Sequence, residues 1–320
     1  MKKNKISAYI LLIFIMMLAI TACADNRDKE PDKVPLEDPE ENDDSGKEES
    51  PEDKGEILKE FKIIAEKMPA PDVLVNFIDE NIEKLSEESA WAMVAELDTS
   101  LESNKQTYAE RIFELDKNDE LIKLSGTKQD FEMNKIEAIE DEKLRVEVEY
   151  LYNNMYKLTN IEGAFYPIVD YKAMEKYNKY LNEEGREYIL IRSIDSDAKP
   201  MSDGGLTISF DELLKRISRT EEFLDAYPDS VKKQEMLEEY NNKVNAYIAG
   251  LPNTPIMDFE TDILRDEVLK SYKEAIDKNN DFSNIVKEHL ENIEENDNKV
   301  DDDIISDAYE LIEKAVERFK

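Results

Sequence analysis

Apolar side chains recur at steps of three and four through most of residues 56–320, and this rhythm constrains the fold more than any other feature of the chain. In residues 86–116 the stripe is Trp91, Val94, Leu97, Leu101, Tyr108, Ile112 and Leu115. After three aspartates, a second stripe runs through Ile304, Ile305, Ala308, Leu311, Ile312, Ala315, Val316 and Phe319. At 3.6 residues per turn each stripe becomes one face of a helix, which can be hidden only against other helices. Ser86 is placed to cap the first, with Glu87 and Glu88 at the positive helix end. Lys314, Arg318 and Lys320 suit the negative end of the second. Only 8 of the 320 residues are glycine, so breaks are few.

The same reading gives helices over 56–67, 72–85, 170–181, 211–226, 230–249, 262–277 and 284–294. Leu144, Val148, Leu151, Met155 and Leu158 step by 4, 3, 4 and 3, which extends another helix to residue 158. Residues 187–209 are ambiguous: Tyr188-Ile189-Leu190-Ile191 suits a strand or a buried helical turn, and Thr207 and Ile208 are β-branched. Residues 195–205, with Pro200, Gly204 and Gly205, read as a loop. Helix is expected before it, with one short β-hairpin as the alternative. The expected fold is all-α over 55–320: a bundle or irregular stack of helical hairpins.

The turn Phe223-Leu224-Asp225-Ala226-Tyr227-Pro228-Asp229-Ser230 resembles those joining helices in tetratricopeptide-like arrays. Its related positions, Pro71, Ser230 and Ser283, lie 159 and 53 residues apart, unlike a fixed period near 34. An irregular stack is therefore favoured over a regular array.

The first 54 residues follow other rules. Lys2, Lys3 and Lys5 precede 17 uncharged residues, 6–22, the layout of a secretory signal peptide. That run is short of the roughly 20 apolar residues that cross a bilayer. Ile20-Thr21-Ala22-Cys23 resembles the bacterial lipobox, a likeness confined to the first 23 residues. It implies cleavage before Cys23 and a diacylglyceryl group on its sulfur. Cys23 is the only cysteine, so an internal disulfide is impossible. Two acyl chains, at about 0.8 kcal/mol per buried methylene, meet the requirement for stable anchoring.

Residues 24–54 hold 14 acids, 5 bases and four prolines, with only Val34 and Leu36 as sizeable apolar side chains. Such a stretch is expected to be a disordered tether spanning roughly 30 Å. The organisation read from sequence is a signal peptide (1–22), a lipidated cysteine with tether (23–54) and a helical domain. Its expected place is the extracellular face of a bacterial cytoplasmic membrane, in a cell with one membrane and a thick wall.

The whole chain carries −35. With +3 from the leader and −9 from the tether, −29 remains on residues 55–320. A body of this sign repels nucleic acid phosphates and anionic headgroups, so lipid on Cys23 is the expected membrane contact.

Signals of chemistry are sparse. His289 is the only histidine, which excludes paired-imidazole metal sites such as H-E-x-x-H, and is read as a surface or half-buried side chain. No G-x-S-x-G elbow or phosphate-cradling glycine loop occurs. Asp277, Asn279, Asp281 and Glu288 fit four places of a calcium loop, but Phe282 stands where its sharp turn needs glycine. Helix caps and turns explain them better, and no metal, cofactor or catalytic residue is expected.

Eight of the 15 tyrosines lie between residues 150 and 188. Tyr152, Tyr156, Tyr166, Tyr171, Tyr177 and Tyr180 are the candidate ligand or partner surface, with core packing as the competing reading. The expected function is non-catalytic partner binding or scaffolding at the cell surface. The alternatives are a solute-binding lipoprotein of a transporter, usually two α/β lobes, and a cell-wall hydrolase working through paired carboxylates.

Overall fold

The computed structural model describes residues 51–320; the expectations for the leader, Cys23 and the tether up to residue 50 lie outside the described residues, while residues 51–54, expected to end the disordered tether, are helical instead. The fold is mostly helical, with two small two-stranded sheets. Its elements are α1 (Pro51–Ala65), α2 (Pro71–Asn81), α3 (Glu87–Leu115), α4 (Glu120–Ser125), α5 (Glu142–Asn153), β1 (Tyr156–Ile161), β2 (Ala164–Val169), α6 (Tyr171–Met174) and α7 (Glu183–Asp197). There follow β3 (Met201–Ser202), β4 (Gly205–Leu206), α8 (Phe210–Ala226), α9 (Lys233–Ile248), α10 (Asp266–Asp277), α11 (Asp281–Glu295) and α12 (Asp302–Glu317). No helix among the described residues is long and apolar enough to cross a membrane.

Helix α3, 29 residues and about 44 Å long, is the post of the N-terminal half. It begins as its sequence dictates: the Ser86 side chain accepts from the Ser89 N–H at 3.2 Å, satisfying one of the otherwise unpaired donors at the helix start. Its stripe buries Trp91, Val94, Leu97, Leu101, Tyr108 and Ile112 against α1, α2, α5, α7 and β2. Helix α8 packs on both α9 and α10, α10 on α11 and α11 on α12, and α12 returns onto α9.

Gly185 lets α7 approach Trp91 of α3 closely. A Cβ there would sit 2.8 Å from the Trp91 ring, which is itself pinned by its indole N–H donating to Glu184 at 2.8 Å. Gly185→Ala is expected to lose about 1 kcal/mol or more in urea denaturation, because the overlap outweighs the roughly 1 kcal/mol gained in helix propensity.

The helix expected through Leu158 ends early. Helix α5 stops at Asn153, whose successor Asn154 donates its side-chain amide to the Tyr150 carbonyl, and Met155 turns the chain at φ 65°. Leu158 instead lies in β1, paired with Pro167 across an antiparallel hairpin. Glu162 and Gly163 close it with φ of 51° and 88°, the backbone that a tight two-residue hairpin requires. Residues 156–159 are buried because β1 is covered on both edges. Phe131 N–H donates to Leu158 O, and Asn160 N–H to Gln129 O, opposite the β2 side. With its first four residues all buried, the strand shows no alternation, so its apolar residues continue a helical step by coincidence.

Other boundaries shift for local reasons. Helix α7 settles the ambiguous 187–194 as helix and runs on to Asp197, so the loop expected from residue 195 starts later. A two-residue hairpin, β3 with β4, occupies its remainder, closed by Asp203 and Gly204. The helix expected over 170–181 is one α turn, α6, followed by a 3-10 segment. The one expected from 262 starts at 266, because Met257 pairs with Leu264 and Ile263 with Lys299 in isolated bridges.

Candidate functional site

The six candidate tyrosines do not form one surface. Tyr156, Tyr171 and Tyr177 are buried, which corrects the expectation for those three. Their hydroxyls are spent inside the protein: Tyr156 donates to Leu101 O at 2.6 Å, Tyr171 to Asp98 at 2.8 Å and Tyr177 to Asp79 at 2.9 Å. Half-buried Tyr152 donates to the Phe131 carbonyl, and half-buried Tyr180 to Glu83. Tyr166, also half-buried, stacks edge-on against Phe113 with ring centres 4.9 Å apart. The cluster in sequence reflects a series of ties: from the hairpin and α6 to α3, from the 3-10 segment after α6 to α2 and the turn that follows it, and from α5 to Phe131; neither of the grooves described below is lined by any of the six.

What the sequence reading missed is a buried polar centre around Asp98 of α3, 1% exposed. Its carboxylate accepts from Tyr171 at 2.8 Å and from Tyr188 at 2.7 Å, and pairs with Lys232 at 2.8 Å. Lys232, 2% exposed, also donates to Thr99 Oγ1 and reaches Glu235 at 3.0 Å. Burial, reinforced by the charge of Asp98, pushes the Tyr171 and Tyr188 hydroxyls well above their ordinary pKa, so both remain donors. The centre thus locks α3, α6, α7 and the start of α9 together by complementary charge.

Two further centres repeat the device. Lys243 of α9, fully buried, pairs with Asp195, which also holds Arg216 at 3.1 Å. Glu221 of α8, 3% exposed, pairs with Arg318 after α12 and accepts from Asn280 at 2.8 Å. A signal existed: Asp98 follows Trp91 by seven and Val94 by four, and Lys243 follows Met236 by seven, so each ionisable residue falls on an apolar phase.

His289 is fully buried on α11, not at the surface as expected. Neither ring nitrogen has a hydrogen-bond partner among the described residues. The Ile248 carbonyl faces the ring without hydrogen-bond geometry, and burial holds the imidazole pKa down to about 4. The calcium-loop positions resolve into turn and cap: Asn279 takes φ 53°, and Asn280 and Ser283 form a capping box at the start of α11. No metal-binding cluster occurs among the described residues.

Two open grooves lie among the described residues. One, of about 530 Å³, runs beside α7 and α8 and is lined by both charges: Glu183, Glu187 and Glu222 face Lys215, Arg219 and Lys278. Its cations are engaged locally, Arg219 with Glu187 at 2.6 Å and Lys278 with Ser218 at 2.7 Å. The other, of about 400 Å³, lies between α9 and α12 over an apolar floor of Leu237, Ile312 and Val316, with Tyr309 standing 54% exposed at its edge. Comparison with family models, with curated proteins and with solved structures finds no match.

Proposed function

We propose that the chain is a lipid-anchored extracytoplasmic protein whose helical domain binds a partner without catalysis. The observation that carries this is Cys23 itself: one cysteine in 320 residues, placed where an uncharged run closes on Ile-Thr-Ala. A 27-residue acidic stretch between Cys23 and the first helix gives reach away from the lipid surface. The partner-binding part is supported by how the domain uses its acids. Asp98, Asp195 and Glu221 are neutralised by Lys232, Lys243, Arg216 and Arg318 in ties between helices, an arrangement that serves rigidity. Open surface with an apolar floor lies instead between α9 and α12. The transporter alternative presumed two α/β lobes, and the helical domain lends it no support.

Cys23→Ala in the native host is the test. The variant is expected to lose fatty-acid label and to leave the membrane fraction or keep its leader. A variant that remained processed, labelled and membrane-bound would overturn the anchor.

A further inference from the structure

The groove between α9 and α12 has lips of matching design. On α9 it is lined by Gln234, Leu237, Glu238, Asn241 and Asn245; on α12 by Tyr309, Ile312, Glu313, Val316 and, just past the helix, Lys320. Both sets step through i, i+3, i+4, i+7 and i+11, so the α9 lip is one helix face about three turns long and the α12 lip one of about two turns, extended by Lys320. The two helices are joined beneath by Tyr240 and Phe319, packed edge-on with ring centres 5.3 Å apart. Two helices side by side, with an apolar trough between them, leave the seat that a third helix fills.

We infer that this trough seats one amphipathic helix of a different protein, with apolar anchors on one face and basic residues flanking it. The inference rests on the partner-binding reading above and names the class of partner. Charge decides among occupants. Glu238 and Glu313 stand on the lips against one cation, Lys320; Glu310 and Glu317 are exposed on the same helix as Glu313, whose Lys314 is engaged by Glu288 at 2.8 Å, so negative charge prevails along the rim. A second copy would bring another domain of −29, and the chain's own tether a further −9, so both are disfavoured. The half-buried Asn241 and Asn245 amides have no hydrogen-bond partner among the described residues and can bond to polar groups beside the anchors. Tyr309 supplies an amphipathic ring of the type that dominates helix-in-groove affinity.

The probe is a synthetic helix of about 18 residues, leucine at i, i+4, i+7 and i+11 and lysine on the flanks, titrated by fluorescence anisotropy into the full chain in detergent. A second peptide carries glutamate in place of lysine. The lysine helix is expected to bind and the glutamate helix to bind at least about tenfold more weakly. Tyr309→Ala, which leaves the net charge unchanged, is expected to weaken the lysine helix about tenfold, whereas Phe259→Ala, at an exposed apolar residue of another turn, leaves it unchanged. No binding of the lysine helix, equal binding of both peptides, or indifference to Tyr309→Ala would overturn the inference. Helix binding by a chain with unmodified Cys23 would refute the anchor alone; a lipidated chain that ignores the helix would refute the groove alone.

Discussion

Asp98→Ala is expected to destabilise the domain by about 3–5 kcal/mol. The reason is what stays behind. Lys232 is 2% exposed and would retain only Thr99 Oγ1 at 2.8 Å and the half-solvated Glu235 at 3.0 Å. Tyr188 would lose its hydroxyl's acceptor outright, while Tyr171 keeps Glu102 at 3.1 Å. An uncompensated buried ammonium and an orphaned hydroxyl each cost more than the pair contributed when intact. Asp98→Asn, which preserves shape and one acceptor, is expected to lose less. Urea denaturation measures both; a loss below about 1 kcal/mol for the alanine variant would mean that the centre does not tie the helices.

The second large effect is acid sensitivity from His289. Its folded pKa is pushed down to about 4 from an ordinary 6.5, so between those values the unfolded chain binds the proton that the folded chain refuses. The stabilisation is complete above pH 6.5 and is lost as pH falls toward 4, by about 3 kcal/mol in total. The groups facing the ring do little to retain a charge. Tyr272 of α10 lies 5.8 Å away ring to ring, the Ile248 carbonyl closes the α9 side, and Asp307 of α12 acts only through its field. Glu221 works in the opposite sense: burial raises its carboxyl pKa, so its contribution is present at low pH and lost as pH rises. The comparison that isolates the histidine is His289→Leu against the parent chain. Stability of the variant, followed by urea denaturation from pH 7.5 to 4.5, is expected to fall less than that of the parent; parallel curves would contradict the assignment.

The helices were legible because their stripes are long. Ser86 as a cap, the phase of Trp91 to Ile112 and the α12 pattern all follow from sequence, since a three-turn amphipathic face has few other ways to be buried. The hairpin of β1 and β2 was not, for a physical reason. Tyr156 to Thr159 are buried on both sides, so the alternation that marks a strand is missing, and the Glu162-Gly163 turn is the sole local signal. The tyrosine surface misled because tyrosine serves cores and grooves alike: only the partners of Tyr156, Tyr171 and Tyr177, up to 98 positions distant in the chain, decide which. The α9–α12 groove needs the return of α12 onto α9, a pairing that periodicity cannot specify. Asp98 and Lys243 were legible in principle, as charges on apolar phases.

The most direct measurement is the mass of the amino-terminal peptide of the protein taken from its own membranes. A peptide beginning at Cys23 and carrying a diacylglyceryl group on sulfur is the result this account requires. An unmodified thiol, or a chain still joined to residues 1–22, would contradict it.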